Sequence, residues 1–215
     1  MIRFVTPFRI VLLVALAAAV VGGFVVVPPG TQLPIHWNFE GVPDIYAPRE
    51  LALLLPVGLV ALVWGIFIFV ARYAGRDQVA AGRYVTGVAL TALTGLALII
   101  AVVTIAVGLG YPIDMVQALV FAFAVLLLVL GNAMPKSQPN SFAGIRLPTT
   151  LRDPANWQAT HRLGGVLSIA GGLVLLAAAM FAPKSQLVFW LIGCVLVPML
   201  IATAYSLVYA GRARS

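Results

Sequence analysis

Two groups of polar side chains stand out in a chain that is otherwise almost all hydrocarbon. The first lies in Pro28–Glu50, PPGTQLPIHWNFEGVPDIYAPRE, where His36, Asn38, Glu40 and Asp44 fall close together. Imidazole and carboxylates are Zn²⁺ ligands, but one histidine among acids is a sparse donor set, and no metal or cofactor is assigned. Two other uses fit the same residues: a lid that binds a partner, or a cap whose polar groups satisfy one another. Five prolines forbid a single helix here. If Ile35–Glu40 is extended, Ile35, Trp37 and Phe39 share one face and His36, Asn38 and Glu40 the other. The aromatic face then suits a membrane interface. Gly41-Val42-Pro43-Asp44 reads as a turn.

The second group lies between Gly131 and Gly165. Asn132 closes an apolar run, and Met134-Pro135-Lys136 stops a helix and leaves a cation at its end. Pro139-Asn140 and Gly144-Ile145-Arg146 are turn signals. Pro148 keeps Leu147 extended. Asp153-Pro154 starts a new helix, with the carboxylate as cap and proline in the first turn. On that helix Trp157 and His161 are four apart and stack, with Gly164 and Gly165 below. One reading is an interface-hugging or re-entrant loop whose Lys136, Arg146 and Arg162 hold lipid phosphates. The other is a docking surface for a partner or ligand. His161 reads as a hydrogen-bonded interfacial residue or as a proton-titrating switch. Ser141, His161 and Asp153 come without a nucleophile elbow, and no GxxxxGK[ST] phosphate loop occurs. The expectation is therefore a protein that is not an enzyme.

The elements that position these groups follow from composition. The chain has 215 residues, of which 62% are hydrophobic and 9% charged. A soluble domain of that size cannot hide so much apolar surface. Six runs are long enough to span a bilayer: Phe8–Val27, Leu51–Ala71, Tyr84–Leu109, Met115–Gly131, Leu163–Phe181 and Leu187–Tyr209. The third, at about 1.5 Å per residue, exceeds a hydrocarbon core of roughly 30 Å and must tilt or protrude. The expected class is all-α, a polytopic membrane protein with six transmembrane helices.

The net charge of +7 is spread between apolar runs, which argues against nucleic acid and for topology control. Arg3, Arg9, Arg72, Arg76, Arg83, Lys136, Arg146, Arg152, Arg162, Arg212 and Arg214 all fall on one side of a six-span chain. Only Arg49 and Lys184 fall on the other. The expected orientation puts the N- and C-termini in the cytoplasm. Ala17-Ala18-Ala19 resembles a signal-cleavage box, but the apolar run continues through Val27, so the first span reads as an uncleaved anchor. No ionisable residue lies near the centre of a span, which argues against a pump or ion-coupled transporter. Gly87, Thr91 and Gly95, and likewise Gly164, Ser168 and Gly172, recur every four residues and read as close-packing faces. Pro198 predicts a kink, and the lone Cys194 forms no intrachain disulfide.

A resemblance adds to this reading. Gly131 to Lys136, Pro139-Asn140, Gly144-Ile145-Arg146, Pro148, Thr150-Leu151, Trp157 and Thr160 to Gly165 resemble the hallmark of the SdpI-type bacterial immunity-protein family. Leu33 to Asn38 with Gly41, Pro43 and Asp44 resembles an uncharacterised membrane domain that forms the N-terminal half of many members. Two positions depart. The family usually carries Thr-Pro-Trp-Thr where this chain has Leu147-Pro148-Thr149-Thr150, and an often basic position is Gln138.

The resemblance implies a multi-pass protein of the bacterial inner membrane that confers immunity or resistance to a secreted antimicrobial peptide. Residues 1–110 would form one membrane half with an extracytoplasmic segment 28–50, and 111–215 a second half with a cytoplasmic signature loop 132–162. The expected mechanism is binding. His36, Asn38, Gly41 and Asp44 meet the toxin. Asn132, Pro135, Lys136, Asn140, Gly144, Arg146, Trp157, His161 and Arg162 brace the bundle or signal to a cytoplasmic regulator. The partners are then the lipid bilayer, a peptide toxin and that regulator, with no nucleic acid. The alternatives are a receptor whose output is signal transduction, and a small-molecule or lipid transporter.

Overall fold

The computed structural model describes residues 5–212, so Arg3 and Arg214 of the charge argument lie outside the described residues. Helix α1 (Pro7–Val26) starts where Thr6 Oγ1 accepts the Arg9 N–H at 3.3 Å, with Pro7 in the first turn. A hairpin of β1 (Gln32–Trp37) and β2 (Pro43–Pro48) follows, then α2 (Arg49–Tyr73), α3 (Arg76–Gly108) and α4 (Met115–Ala133). A 3₁₀ turn at Met134–Lys136 leads into an irregular loop and the short α5 (Pro148–Arg152). Helices α6 (Pro154–Phe181) and α7 (Leu187–Arg212) complete the chain. Six of these helices are long and apolar enough to cross a membrane.

Cap chemistry sets several boundaries. Asp114 accepts the Gln117 N–H at 3.0 Å and starts α4. Asp153 accepts the Ala155 N–H at 2.8 Å and starts α6, with Pro154 first in the helix as expected. Gly110, at φ +83°, turns the chain between α3 and α4. Helix α3 runs 33 residues, longer than its apolar stretch, because only Ala74 and Gly75 separate it from α2. At about 50 Å it carries Arg76, Gln78 and Arg83 beyond the apolar zone.

The helices form two packed groups. Leu16 and Val20 of α1, Leu33 of β1, Ala52, Leu53 and Val60 of α2, and Ala97 and Ala101 of α3 make one core. Val116, Val120, Ala124 and Leu127 of α4, Leu175 and Ala179 of α6, and Leu187 and Cys194 of α7 make the other. Leu96 against Ala122 and Leu126 joins them.

Lipid supplies no hydrophobic drive between helices, so close approach decides which ones pair. The tightest crossing is α4 on α6. A Cβ added at Gly165 would meet Gly131 O at 2.6 Å, and one at Gly172 would meet Ala124 O at 3.0 Å. The Gly164, Ser168 and Gly172 face is buried, as its spacing predicts. Gly171 lies under Cys194 O, the carbonyl that Pro198 leaves without its helical partner. The face of Gly87, Thr91 and Gly95 differs. Gly95 has open space beside it, and Gly87 and Thr91 receive the Arg9 side chain instead of a helix backbone. The side chains of one helix cannot reveal which kind of neighbour they will meet.

The segment between α1 and α2 is a two-stranded antiparallel sheet, with Gln32 opposite Pro48, Leu33 opposite Ala47 and Pro34 opposite Tyr46. Both strands are edges, so their prolines cost no ladder bonds. The strand ends at Trp37, and the turn falls at 38–42, earlier than the Gly41–Asp44 turn expected from sequence. Asn38 causes the difference, because its side-chain carbonyl accepts the Glu40 and Val42 N–H groups at 3.0 and 2.9 Å.

The α4–α6 crossing yields a direct test. Gly165→Val overpacks it and should cost about 1–3 kcal/mol, read as a lower thermal midpoint in detergent. Gly95→Ala, which meets no atom within 4 Å, should leave the midpoint unchanged. Equal midpoints for all three proteins would show that the crossing is not close-packed.

Candidate functional site

The hairpin end is built outward from Arg49. Its guanidinium donates to Phe24 O at 3.3 Å and to Val27 O, filling carbonyls that the end of α1 leaves open. It also bonds Glu50 at 2.8 Å and lies 5.8 Å over the Phe24 ring. One side chain thus ties α1 to the first turn of α2, and the Arg49 N–H donates to Thr31 O at 3.0 Å beside the hairpin.

From that anchor the hairpin bridges both helix groups. Leu33 and Ile35 pack on the first core and Trp37 on the second. Phe39 stacks on Phe189 of α7 with ring centres 6.1 Å apart. Gly41, at φ +79°, lies over Val116 and the Lys184 carbonyl. Beneath it Lys184 pairs with Asp114 at 2.7 Å and locks the α3–α4 turn to the α6–α7 turn. Burial raises the Asp114 pKa, but the Lys184 ammonium and the Gln117 N–H outweigh it and hold the carboxyl below its ordinary range.

The candidate residues of the hairpin divide by role. His36 Nδ1 and Asp44 Oδ1 meet across the strands at 2.6 Å, with side chains 58% and 41% exposed. Asp44 therefore orients the imidazole and leaves Nε2 outward, without a hydrogen-bond partner among the described residues. Asn38 and Gly41 build the turn that presents this pair. Asn38 also donates its N–H to Val42 O at 2.9 Å and accepts from the Gly41 N–H at 3.0 Å. Phe39, Val42, Ile45 and Tyr46 form an exposed apolar rim. Among the described residues no group of three or more His, Cys, Asp or Glu gathers as a metal would require.

The opposite end holds the loop after α4. Asn140 is 2% exposed and uses its whole amide. Its Oδ1 accepts from the Phe142 and Ala143 N–H groups at 3.1 and 2.7 Å, and its Nδ2 donates to Gln138 O and Ala143 O. His161 is fully buried and spends both ring nitrogens on backbone. Nε2 accepts the Ile145 N–H at 2.9 Å, so the proton sits on Nδ1 and donates to Trp157 O at 2.8 Å. The Trp157 ring lies on the imidazole with centres 4.1 Å apart and donates Nε1–H to Ser137 O at 3.2 Å.

Gly144, at φ +109°, passes directly over these rings. A Cβ there would run into His161 Nε2 and come within 3.2 Å of Trp157. Pro135 packs on Gly165, and its carbonyl accepts from Gln158 Nε2 at 2.8 Å. Buried Asn140, Trp157 and His161, with half-buried Pro135 and an exposed Gly144 laid over the rings, therefore make one brace. Asn132, Lys136, Arg146 and Arg162 are exposed around it. Lys136 lies 5.6 Å over the Tyr84 ring and reaches the Tyr84 hydroxyl at 3.3 Å.

Several bracing roles were not assigned from sequence. Thr150 Oγ1 donates to Ile145 O at 2.8 Å and accepts the Leu147 N–H at 2.9 Å. Asn156 donates to Ser206 O at 3.0 Å and accepts from Thr160 at 2.9 Å. Thr149, at the position where the family usually carries tryptophan, meets the Ser206 hydroxyl at 2.7 Å. Gln78 accepts the Ser141 N–H at 2.9 Å and ties the loop to α3. The i, i+4 spacing of Asn156 and Thr160 was the available signal. With His161 committed on both nitrogens and Asp153 capping α6, the trio with Ser141 forms no proton relay.

These features define a class: a polytopic helical membrane protein with a hairpin over one end of the bundle and a side-chain-braced loop at the other. Residues 136–209 match the SdpI/YfhL protein family, and residues 10–60 match a domain of unknown function, DUF1648. Immunity protein SdpI of Bacillus subtilis (strain 168) is 21% identical over 178 residues, 83% of each chain. No solved structure matches the chain. The chain is thus similar to SdpI-type proteins over most of its length.

The brace generates a second test. His161→Phe keeps a ring on Trp157 but removes both side-chain hydrogen bonds, leaving the half-buried Ile145 N–H unpaired at a cost of about 1–3 kcal/mol. Limited proteolysis should then cut within 137–147 several times faster, with helical content unchanged. Unchanged cleavage would show that stacking alone holds the loop.

Proposed function

We propose that this chain is a membrane immunity protein, protecting the cell that carries it from a secreted antimicrobial peptide by binding rather than catalysis. The hairpin end faces outward and the braced loop faces the cytoplasm. Cation placement supports that orientation: among the described residues only Arg49 and Lys184 lie at the hairpin end. The relative's name, an immunity protein, supports the protective role.

The observation that carries the binding reading is the hairpin surface. It joins an exposed, oriented His36–Asp44 pair to an apolar rim of Phe39, Val42, Ile45 and Tyr46. An amphipathic peptide at the outer leaflet offers matching apolar and polar groups. The hairpin is clamped to both cores, so little ordering cost falls due on binding. The inner loop braces α6 and α7 at the end opposite the lid. Lys136, Arg146 and Arg162 lie in the leaflet interface beside it.

Survival tests this reading. The chain is expressed in a sensitive Gram-positive host and challenged with a panel of secreted membrane-active peptides, beside His36→Ala, Asp44→Ala and Arg146→Ala variants shown to insert equally. Wild type should raise the tolerated concentration of at least one peptide. His36→Ala and Asp44→Ala should each lower that gain about tenfold, the effect of losing a contact worth about 1.4 kcal/mol. Full protection by the His36 and Asp44 variants would remove the hairpin from the mechanism. No protection by wild type would move the role from immunity to a receptor.

A further inference from the structure

A groove of about 730 Å³ runs between α1, α3 and α4 at the loop end of the bundle. It lies apart from both the hairpin and the braced loop. Its floor is the Gly87, Thr91 and Gly95 face of α3, the face that no helix fills. Arg9 Nε donates to Thr91 Oγ1 at 2.9 Å, and the guanidinium lies against Gly87. That bond aims Arg9 into the groove and away from the aqueous phase. Arg83 is exposed at the mouth, and Tyr84 beside it carries Lys136 on its ring.

Arg9 and Arg83 thus line one end of the groove with Lys136 over its Tyr84, and among the described residues no acid lines it. Beyond the cations the walls turn apolar, with Leu96, Ile99 and Val125. A Cβ at Gly95 would meet nothing within 4 Å, so the apolar part is open space. A small anion would use the cations and leave that part unfilled. A neutral lipid would fill it and leave Arg83, at the mouth, without a charge partner.

We infer that this groove binds an anionic phospholipid, with its phosphate at Arg83 and an acyl chain along Thr91 and Gly95. The fit is one of charge and shape together. Arg83 makes no hydrogen bond or ion pair to a described residue, and a guanidinium suits bidentate phosphate contact. The groove falls within the size range of ligand sites. The loop end is the one placed in the cytoplasmic leaflet above, where anionic lipids concentrate. The inference itself needs only the groove, and stands whether or not the hairpin binds a peptide.

The test uses the full chain purified in mild detergent and offered equal phosphatidylglycerol and phosphatidylcholine, with retained lipid counted by native mass spectrometry. Wild type should retain one phosphatidylglycerol about tenfold over phosphatidylcholine, as expected of a cation or two near a headgroup. Arg83→Gln should bring the two lipids close to equal. Gly95→Leu projects into open space, so folding is spared, and it should lower retention of both lipids. Equal retention of the two lipids by wild type would overturn the inference. So would unchanged retention in both variants, or displacement of the lipid by an equal concentration of glycerol phosphate, which would mark a small-anion site.

Discussion

A backbone N–H or C=O buried away from water must find a partner, and in a membrane protein most helices settle this within themselves. The stretch between α4 and α6 cannot, because its prolines and glycines keep it out of a helix. It is nevertheless packed into the end of the bundle. Its backbone is therefore satisfied by side chains: Asn140 and Thr150 from within, and His161, Trp157 and Gln158 from α6. The position of α6 against α4, and so the second core, depends on that exchange. Gly144 and Gly165 follow from it, since each is a place where the loop or helix comes too near for a Cβ.

The hairpin end answers the same constraint with different residues. Arg49 fills the open carbonyls of α1, and Asn38 fills the turn. The lid spans both cores because Leu33 and Trp37 lie on opposite helix groups. What remains free is the His36–Asp44 pair and the rim beside it. A bundle braced at one end and bridged at the other holds such a surface still, which favours recognition over chemistry.

Much of this was legible in the sequence because it rests on local rules. The six apolar runs, the Asp153-Pro154 start and the four-residue spacing of Trp157 and His161 all depend on neighbours in the chain. What was not legible depends on partners far away in it. Asn38 and Gly41 both signal a turn, and only the strand register with 43–48 decides between them. Arg9 reads as a topology charge, yet its side chain crosses to Thr91, 82 positions away. Gly87, Thr91 and Gly95 have the same spacing as Gly164, Ser168 and Gly172, but one face meets a groove and the other meets helices. The roles of Asn156 and Ser206 likewise appear only once α6 and α7 are side by side.

The central claim is that His161 is a neutral clamp on the loop backbone, with its proton on Nδ1. Nitrogen-15 NMR of histidine-labelled protein in lipid nanodiscs at neutral pH reads that directly, since the chain has only two histidines and His36→Gln removes the other signal. The account predicts a protonated Nδ1 and a bare, hydrogen-bonded Nε2. A proton on Nε2, alone or with Nδ1, would mean that His161 does not accept from Ile145 and that the loop is held some other way.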